Sequence, residues 1–190
     1  MKNKIISIFF ILISCLLISS CTSTQNQDTY FIHAVGFDFD GLNFTVHAVC
    51  EKQGEKKSDY FVISQSEKTI NKATKKLTDK YKECYFATAQ LYLLSENFDR
   101  EQIMNLAKEI CDSNIYPTKS GIALTNAELK GFLGKIKNED DLKKISDYSK
   151  KTNTVMLFSR YLNGTPVELP LFSLDKKGTM THKEYVKIQK

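Results

Sequence analysis

The sequence predicts an α+β fold: a mixed, largely antiparallel β-sheet that begins with an N-terminal β-hairpin and is packed with about four helices. Three observations predict it. Two strand-like runs, 30–39 and 42–50, are joined by Asp40-Gly41, and an Asp-Gly pair between alternating runs is the strongest short hairpin signal. From Ile70 onward, stretches with apolar residues at helical spacing alternate with short apolar runs of strand length. Two of the helical stretches open with capping-box pairs, Asp99/Gln102 and Thr125/Glu128.

Ahead of the fold stands a leader. Lys2 and Lys4 precede an almost unbroken apolar run over 5–17, and Ser19 and Ser20 then lead to Cys21. Charged start, apolar middle and small residues before a cut are the layout of a secretory signal; the run is too short to read as a spanning helix. Ile18-Ser19-Ser20-Cys21 resembles a bacterial lipobox, whose cysteine is lipidated and becomes the first mature residue. Leu12-Ile13-Ser14-Cys15 is a weaker second match, because cleavage there leaves Leu16-Leu17-Ile18 at the mature end. An uncleaved N-terminal anchor is the alternative; in either case the remainder lies outside the cytoplasmic membrane and is tied to it. The expected organisation is a lipoprotein signal peptide (1–20), the lipidated Cys21 with a polar, flexible tether (21–28), and a single α+β domain (29–190). Two acyl chains on the cysteine, often joined by a third on its nitrogen, supply the multiple anchoring signals that stable attachment needs.

In the first hairpin a two-residue turn sets positions summing to 81 opposite one another, so that Phe39 faces Leu42, Phe37 faces Phe44, and Val35 faces Val46. One face then carries Phe31, Val35, Phe37, Phe39, Leu42, Phe44, Val46, Ala48 and Cys50, and must be buried; the other carries Asn43, Thr45 and His47 beside Ile32 and Ala34. His33 and His47 fall on opposite faces in this register and cannot chelate one ion together. His33 and Cys50 share a face but make only two ligands among phenylalanines. Asp38 and Asp40 lack the spacing of a calcium loop.

A charged loop (51–59) and a short strand (60–64) follow. Ile70, Ala73, Leu77 and Tyr81 then mark a Lys-rich helix. Residues 84–94 are the most apolar mature stretch and should hold a central strand near 89–94. Asp99 caps the next helix, with Phe98 stapled to Ile103 and an apolar face of Ile103, Ala107 and Ile110. After Pro117 come a strand (121–124), a helix with Leu129, Phe132, Leu133 and Ile136 on one face, and a more polar helix (138–148) burying Leu142 and Ile145. Residues 154–158 read as a strand or a helix turn, and 167–180 as a hairpin around Lys177-Gly178.

The chain carries a net charge of +5, with Lys and Asp/Glu interspersed and two arginines, Arg100 and Arg160. Such a surface favours adhesion to an anionic bilayer, since basic residues at the surface contribute roughly 1 kcal/mol each; with no Arg-rich stripe, nucleic acid is not an expected partner. If Cys21 is lipidated, Cys50, Cys84 and Cys111 permit at most one disulfide, and they read as small buried hydrophobes. The sequence holds no G-x-S-x-G elbow, H-E-x-x-H, phosphate loop or C-x-x-C, and its histidines are scattered at 33, 47 and 182. The acids Glu139, Asp140 and Asp141 suit a helix start. No enzymatic activity, catalytic residue, metal or cofactor is expected.

Three stretches together resemble the N-terminal domain of the Ger(x)C lipoproteins, the C subunits of spore germinant receptors. Ala34-Val35-Gly36-Phe37-Asp38 with Phe44-Thr45-Val46 looks like the family's opening G-x-G-x-D hairpin. The Lys-rich helix leading into Cys84-Tyr85-Phe86 and then Gln90-Leu91-Tyr92-Leu93-Leu94-Ser95-Glu96 is similar to the family's helix and central strand. Asp99 and Asn114-Ile115-Tyr116-Pro117 sit where the family has its next segment. The family's histidine before the central strand is Thr88 or Ala89 here, and the family continues into another large domain. The resemblance implies a non-enzymatic accessory or receptor subunit, lipid-anchored at the spore inner membrane beside integral-membrane receptor subunits. The alternative expectation is a stand-alone envelope lipoprotein that binds a small ligand or a cell-wall fragment.

Overall fold

The computed structural model describes residues 29–53 and 60–188. The signal segment, Cys21 and the tether therefore lie outside the described residues, as does most of the charged loop.

Eight strands and five helices follow one another among the described residues: β1 (Tyr30–Phe39), β2 (Phe44–Lys52), β3 (Phe61–Glu67), α1 (Ile70–Lys80), β4 (Cys84–Tyr85), β5 (Leu91–Ser95), α2 (Arg100–Asp112), β6 (Gly121–Thr125), α3 (Leu129–Leu133), α4 (Glu139–Ser149), α5 (Thr154–Leu162), β7 (Val167–Leu174) and β8 (Met180–Ile188). They build one mixed sheet in the order β3-β2-β1-β5-β6-β7-β8, with β4 paired to the start of β1. The antiparallel ladders β1–β2, β2–β3 and β7–β8 carry most of the residue pairs. Between them, β1, β5, β6 and β7 run parallel. Parallel strands need helical crossovers, and these cover both faces. α1, α2 and α5 bury Leu77, Ile103, Ile110 and Leu157 against one side; α3 and α4 bury Leu129, Phe132, Leu142 and Ile145 against the other. β5 is buried on both faces, so its residues run apolar without alternation.

The first hairpin differs from its expected register. Phe39 pairs with Phe44, not Leu42, and Phe37 with Val46. The cause is Asp40: its carboxylate accepts from the backbone N–H groups of Leu42 (2.8 Å) and Asn43 (2.7 Å), which closes a four-residue loop rather than a two-residue one. Gly41 takes φ +95 there, and Leu42 is left 82% exposed. A shift of two preserves the pleat, so Val35, Phe37, Val46, Ala48 and Cys50 still share the buried face. A bulge then places one extra residue, His33, between Ile32 and Ala34. Before it the alternation reverses: Ile32 enters the core expected for Phe31, and Phe31 turns to the other side and stacks on Tyr85.

α1 is capped by Thr69, whose side chain accepts from Lys72 N. α2 has the expected capping box, with Asp99 accepting from Gln102 N (2.8 Å) and Gln102 from Asp99 N (2.9 Å). The second expected box does not form. Thr125 is the last residue of β6 and its hydroxyl accepts from Ala127 N, so the chain needs two more residues to leave the sheet. Glu128 is itself the cap, its carboxylate accepting from Lys130 N and Gly131 N, and α3 ends after five residues. The ambiguous 154–158 stretch is the helix α5, capped by Asn153. The last hairpin turns at Asp175–Thr179, with Gly178 at φ +75.

α3 lies directly on β1 at Gly36, where a Cβ would meet Leu133 Cδ1 at 2.5 Å and Leu129 Cδ2 at 3.0 Å. Gly36→Val should therefore destabilise the fold by about 1–3 kcal/mol, and Asp99→Ala by about 1 kcal/mol. Urea denaturation checks both, and unchanged midpoints would contradict the packing and the cap respectively.

Candidate functional site

The three histidines are each held by a different neighbour. His33, at the bulge, stacks on Tyr60 (4.3 Å between centroids, 10° between planes) and its Nε2 lies 3.0 Å from Glu51 Oε2. His47 is buried, with Nδ1 2.8 Å from Ser64 Oγ. His182 on β8 stacks on Tyr148 (4.4 Å), meets Phe172 edgewise and lies tilted against Tyr185.

The bulge changes the relation expected between the first two. Tyr60 belongs to the core beneath α3 and α4, and His47 feels Glu128 and Lys130 at the start of α3. His33 and His47 therefore share a face, while Cys50 points into the opposite core, so the expected face assignments of both His33/His47 and His33/Cys50 are corrected. Among the described residues no three His, Cys, Asp or Glu side chains are grouped as metal ligands.

Cys50, Cys84 and Cys111 are free thiols. Burial pushes the Cys50 thiol up to about 12 and Cys84 up to about 11. Cys50 donates to Phe61 O and Cys84 to Tyr81 O. Neither is a ready nucleophile, because the thiolate is the reactive form.

His47 and Ser64 sit directly opposite each other on β2 and β3. This hydroxyl–imidazole pair could not be read from the sequence, because the register across the intervening loop is set by Cys50 opposite Phe61. Burial lowers the His47 pKa, with Asp38 opposing that shift, so the ring is held neutral. As chemistry the pair could pass a proton; neither residue lines the two grooves described below.

A concave surface lies where α4, α5, β7 and β8 meet. A groove of about 570 Å³ is lined by Tyr148, Lys151, Arg160, Glu168, Tyr185 and Lys187. Arg160 also borders an adjoining groove with Lys119, Val155 and Ser159. Across the two grooves the lining thus holds four cations, Lys119, Lys151, Arg160 and Lys187, and one carboxylate, Glu168; none of the four forms an ion pair among the described residues. The arrangement suits an anion with an apolar neighbour. Sequence reasoning missed it because its members come from four elements; the only local signal, Glu168 beside Lys187, appears once β7 and β8 are in register.

No family model, curated protein or solved structure matches the chain.

A buried His with a depressed pKa binds its proton more readily in the unfolded chain. That stability is present above the unfolded value of 6.5 and is lost as pH falls below it. Thermal unfolding followed from pH 7.5 to 5.5 should show a falling midpoint, and His47→Gln should flatten the fall. An equal slope in the variant would remove His47 from the account.

Proposed function

We propose that the chain is a membrane-anchored extracytoplasmic lipoprotein, lipidated at Cys21, whose domain acts as a non-enzymatic accessory or receptor subunit in the manner of spore germinant receptor C subunits. The observation that carries the reading is the leader, in which Lys2 and Lys4, the apolar run and Ile18-Ser19-Ser20-Cys21 succeed one another as in a lipoprotein signal. The Ger(x)C-like stretches around Gly36, Leu91–Ser95 and Asp99 support the receptor role, with integral-membrane receptor subunits as partners and the cell membrane, in a sporulating cell the spore inner membrane, as the site. The chemistry of the domain agrees: its thiols have raised pKa values, and its hydroxyl–imidazole pair lines no described cleft. Such a protein acts by holding and positioning.

A second reading, a stand-alone envelope lipoprotein that binds a small ligand or wall fragment, is favoured by one observation. The groove beside Arg160 has the size of a small-molecule site and a cationic, tyrosine-bearing wall.

Metabolic labelling with palmitate tests the anchor. The native chain should take up label and sediment with membranes, and Cys21→Ser should lose both; a native chain that stays unlabelled and soluble refutes the anchor. Affinity isolation of the full chain from detergent-solubilised membranes separates the two roles. Multi-span membrane proteins at stoichiometric yield support the receptor role, whereas their absence, with thermal stabilisation by a wall fragment or metabolite, supports the ligand-binding role.

A further inference from the structure

Four of the exposed large apolar side chains gather at one end of the sheet. Phe61 (37% exposed) begins β3, and Tyr85 (49%) ends β4, which pairs with the first residues of β1. Ile115 (45%) lies in the link from α2 to the first residue of β6. Val155 (48%) follows Asn153, which bridges to that same first residue, Gly121. Because β1, β3, β5, β6 and β7 all run in one direction, their starts share an end, and it is the end at which residue 29 enters the domain.

The basic grooves border this end. Lys119 and Lys151 belong to its links, Lys187 faces Glu168 near the start of β7, and Arg160 joins the two grooves. Glu51, Glu83, Asp112, Glu139 and Glu168 are carboxylates near this end; Glu51 lies 3.0 Å from His33 Nε2, and Glu83 is engaged by the Thr29 hydroxyl. Around the grooves the balance is positive, while the Phe61–Tyr85 side is aromatic, with Tyr30 packed edgewise on Phe61 and Tyr81.

We propose that this end of the domain lies flat on an anionic lipid bilayer, with Phe61, Tyr85, Ile115 and Val155 at the headgroup boundary and Lys119, Lys151, Arg160 and Lys187 on lipid phosphates. The proposal rests on the lipid-anchor reading. Tyrosine suits that boundary because its ring is apolar and its hydroxyl is wet. Chain length supplies the orientation. Eight residues separate Cys21 from Tyr30, a reach of about 30 Å at full stretch. β1 carries ten residues from that entry point to the opposite tip, also about 30 Å. Leu42 at that tip could meet the bilayer only with the connecting chain pulled taut, whereas the entry end meets it with the chain slack. Contacts too weak to recruit a free domain suffice for a tethered one, because attachment makes them intramolecular.

The chain contains no Trp, so one substitution introduces a unique fluorophore. Full-length acylated protein bearing Tyr85→Trp, Ile115→Trp or Leu42→Trp is reconstituted into phosphatidylglycerol/phosphatidylcholine vesicles with brominated acyl chains. Emission from Tyr85→Trp and Ile115→Trp should shift to the blue and lose most of its intensity, and that from Leu42→Trp should not. Adding Lys119→Glu and Lys151→Glu, or raising the salt, should restore intensity. Emission that is unquenched at both entry-end positions, or quenched equally at Leu42→Trp, overturns the orientation. Mass spectrometry of the same preparation keeps the two readings apart: a chain without acyl mass on Cys21 refutes the anchor, and an acylated chain with unquenched probes refutes only the face.

Discussion

One extra residue in the first strand governs which side chains reach each core. β1 has helices on both sides, so both of its faces must be apolar through the middle, and Ala34 to Phe37 is fully buried. The bulge at His33 resets the pleat just before that segment. Ile32 is thereby turned into the core with Leu77 and Ile110, and His33 is placed on the opposite face, where Tyr60 and Glu51 hold it. Without the bulge an imidazole would enter an apolar core unpaired, a desolvation cost of kcal/mol order. Gly36 then lets α3 approach β1 closely enough to close the second core.

What the sequence made legible is what depends on neighbours a few residues away. The Asp99/Gln102 box, the Ile103–Ile110 face, the Lys-rich helix and the continuous apolar β5 are local patterns, and each is found in place. The mixed sheet with its opening hairpin was legible for the same reason. The misreadings have a common physical form, in which one side chain had two local options. Asp40 could have sat in a tight Asp-Gly turn, and instead capped two backbone amides across a wider loop. Thr125 could have capped a helix, and instead completed the β5–β6 ladder while Glu128 did the capping. Tertiary pairing settled each choice.

The candidate site was less legible than the fold because its parts are distant in sequence. Lys119, Lys151, Arg160 and Lys187 come from a loop, a helix end, a helix and an edge strand, and β6–β7 pairing brings their elements together. The groups that sequence reading singles out as chemically suggestive are mostly engaged in structure. Cys50 and Cys84 donate to main-chain carbonyls. His47 binds a serine across the sheet. The groove cations form no ion pair among the described residues.

The sheet's polarity ties the two halves of the functional proposal together. In a block of parallel strands crossed by helices, the helices returning from the far end terminate beside the strand starts, and their carbonyl ends point there. Lys80 in the last turn of α1 complements those partial negative charges, whereas Lys150 after α4 pairs with Asp147 and α2 ends on Asp112 with no basic residue in its last turn. A chain anchored at the entry of β1 consequently brings one particular end of the sheet to the membrane and leaves the β1–β2 tip about 30 Å above it. In the proposed orientation the edge strands of the described sheet, β3 and β8, would stand upright to either side of it.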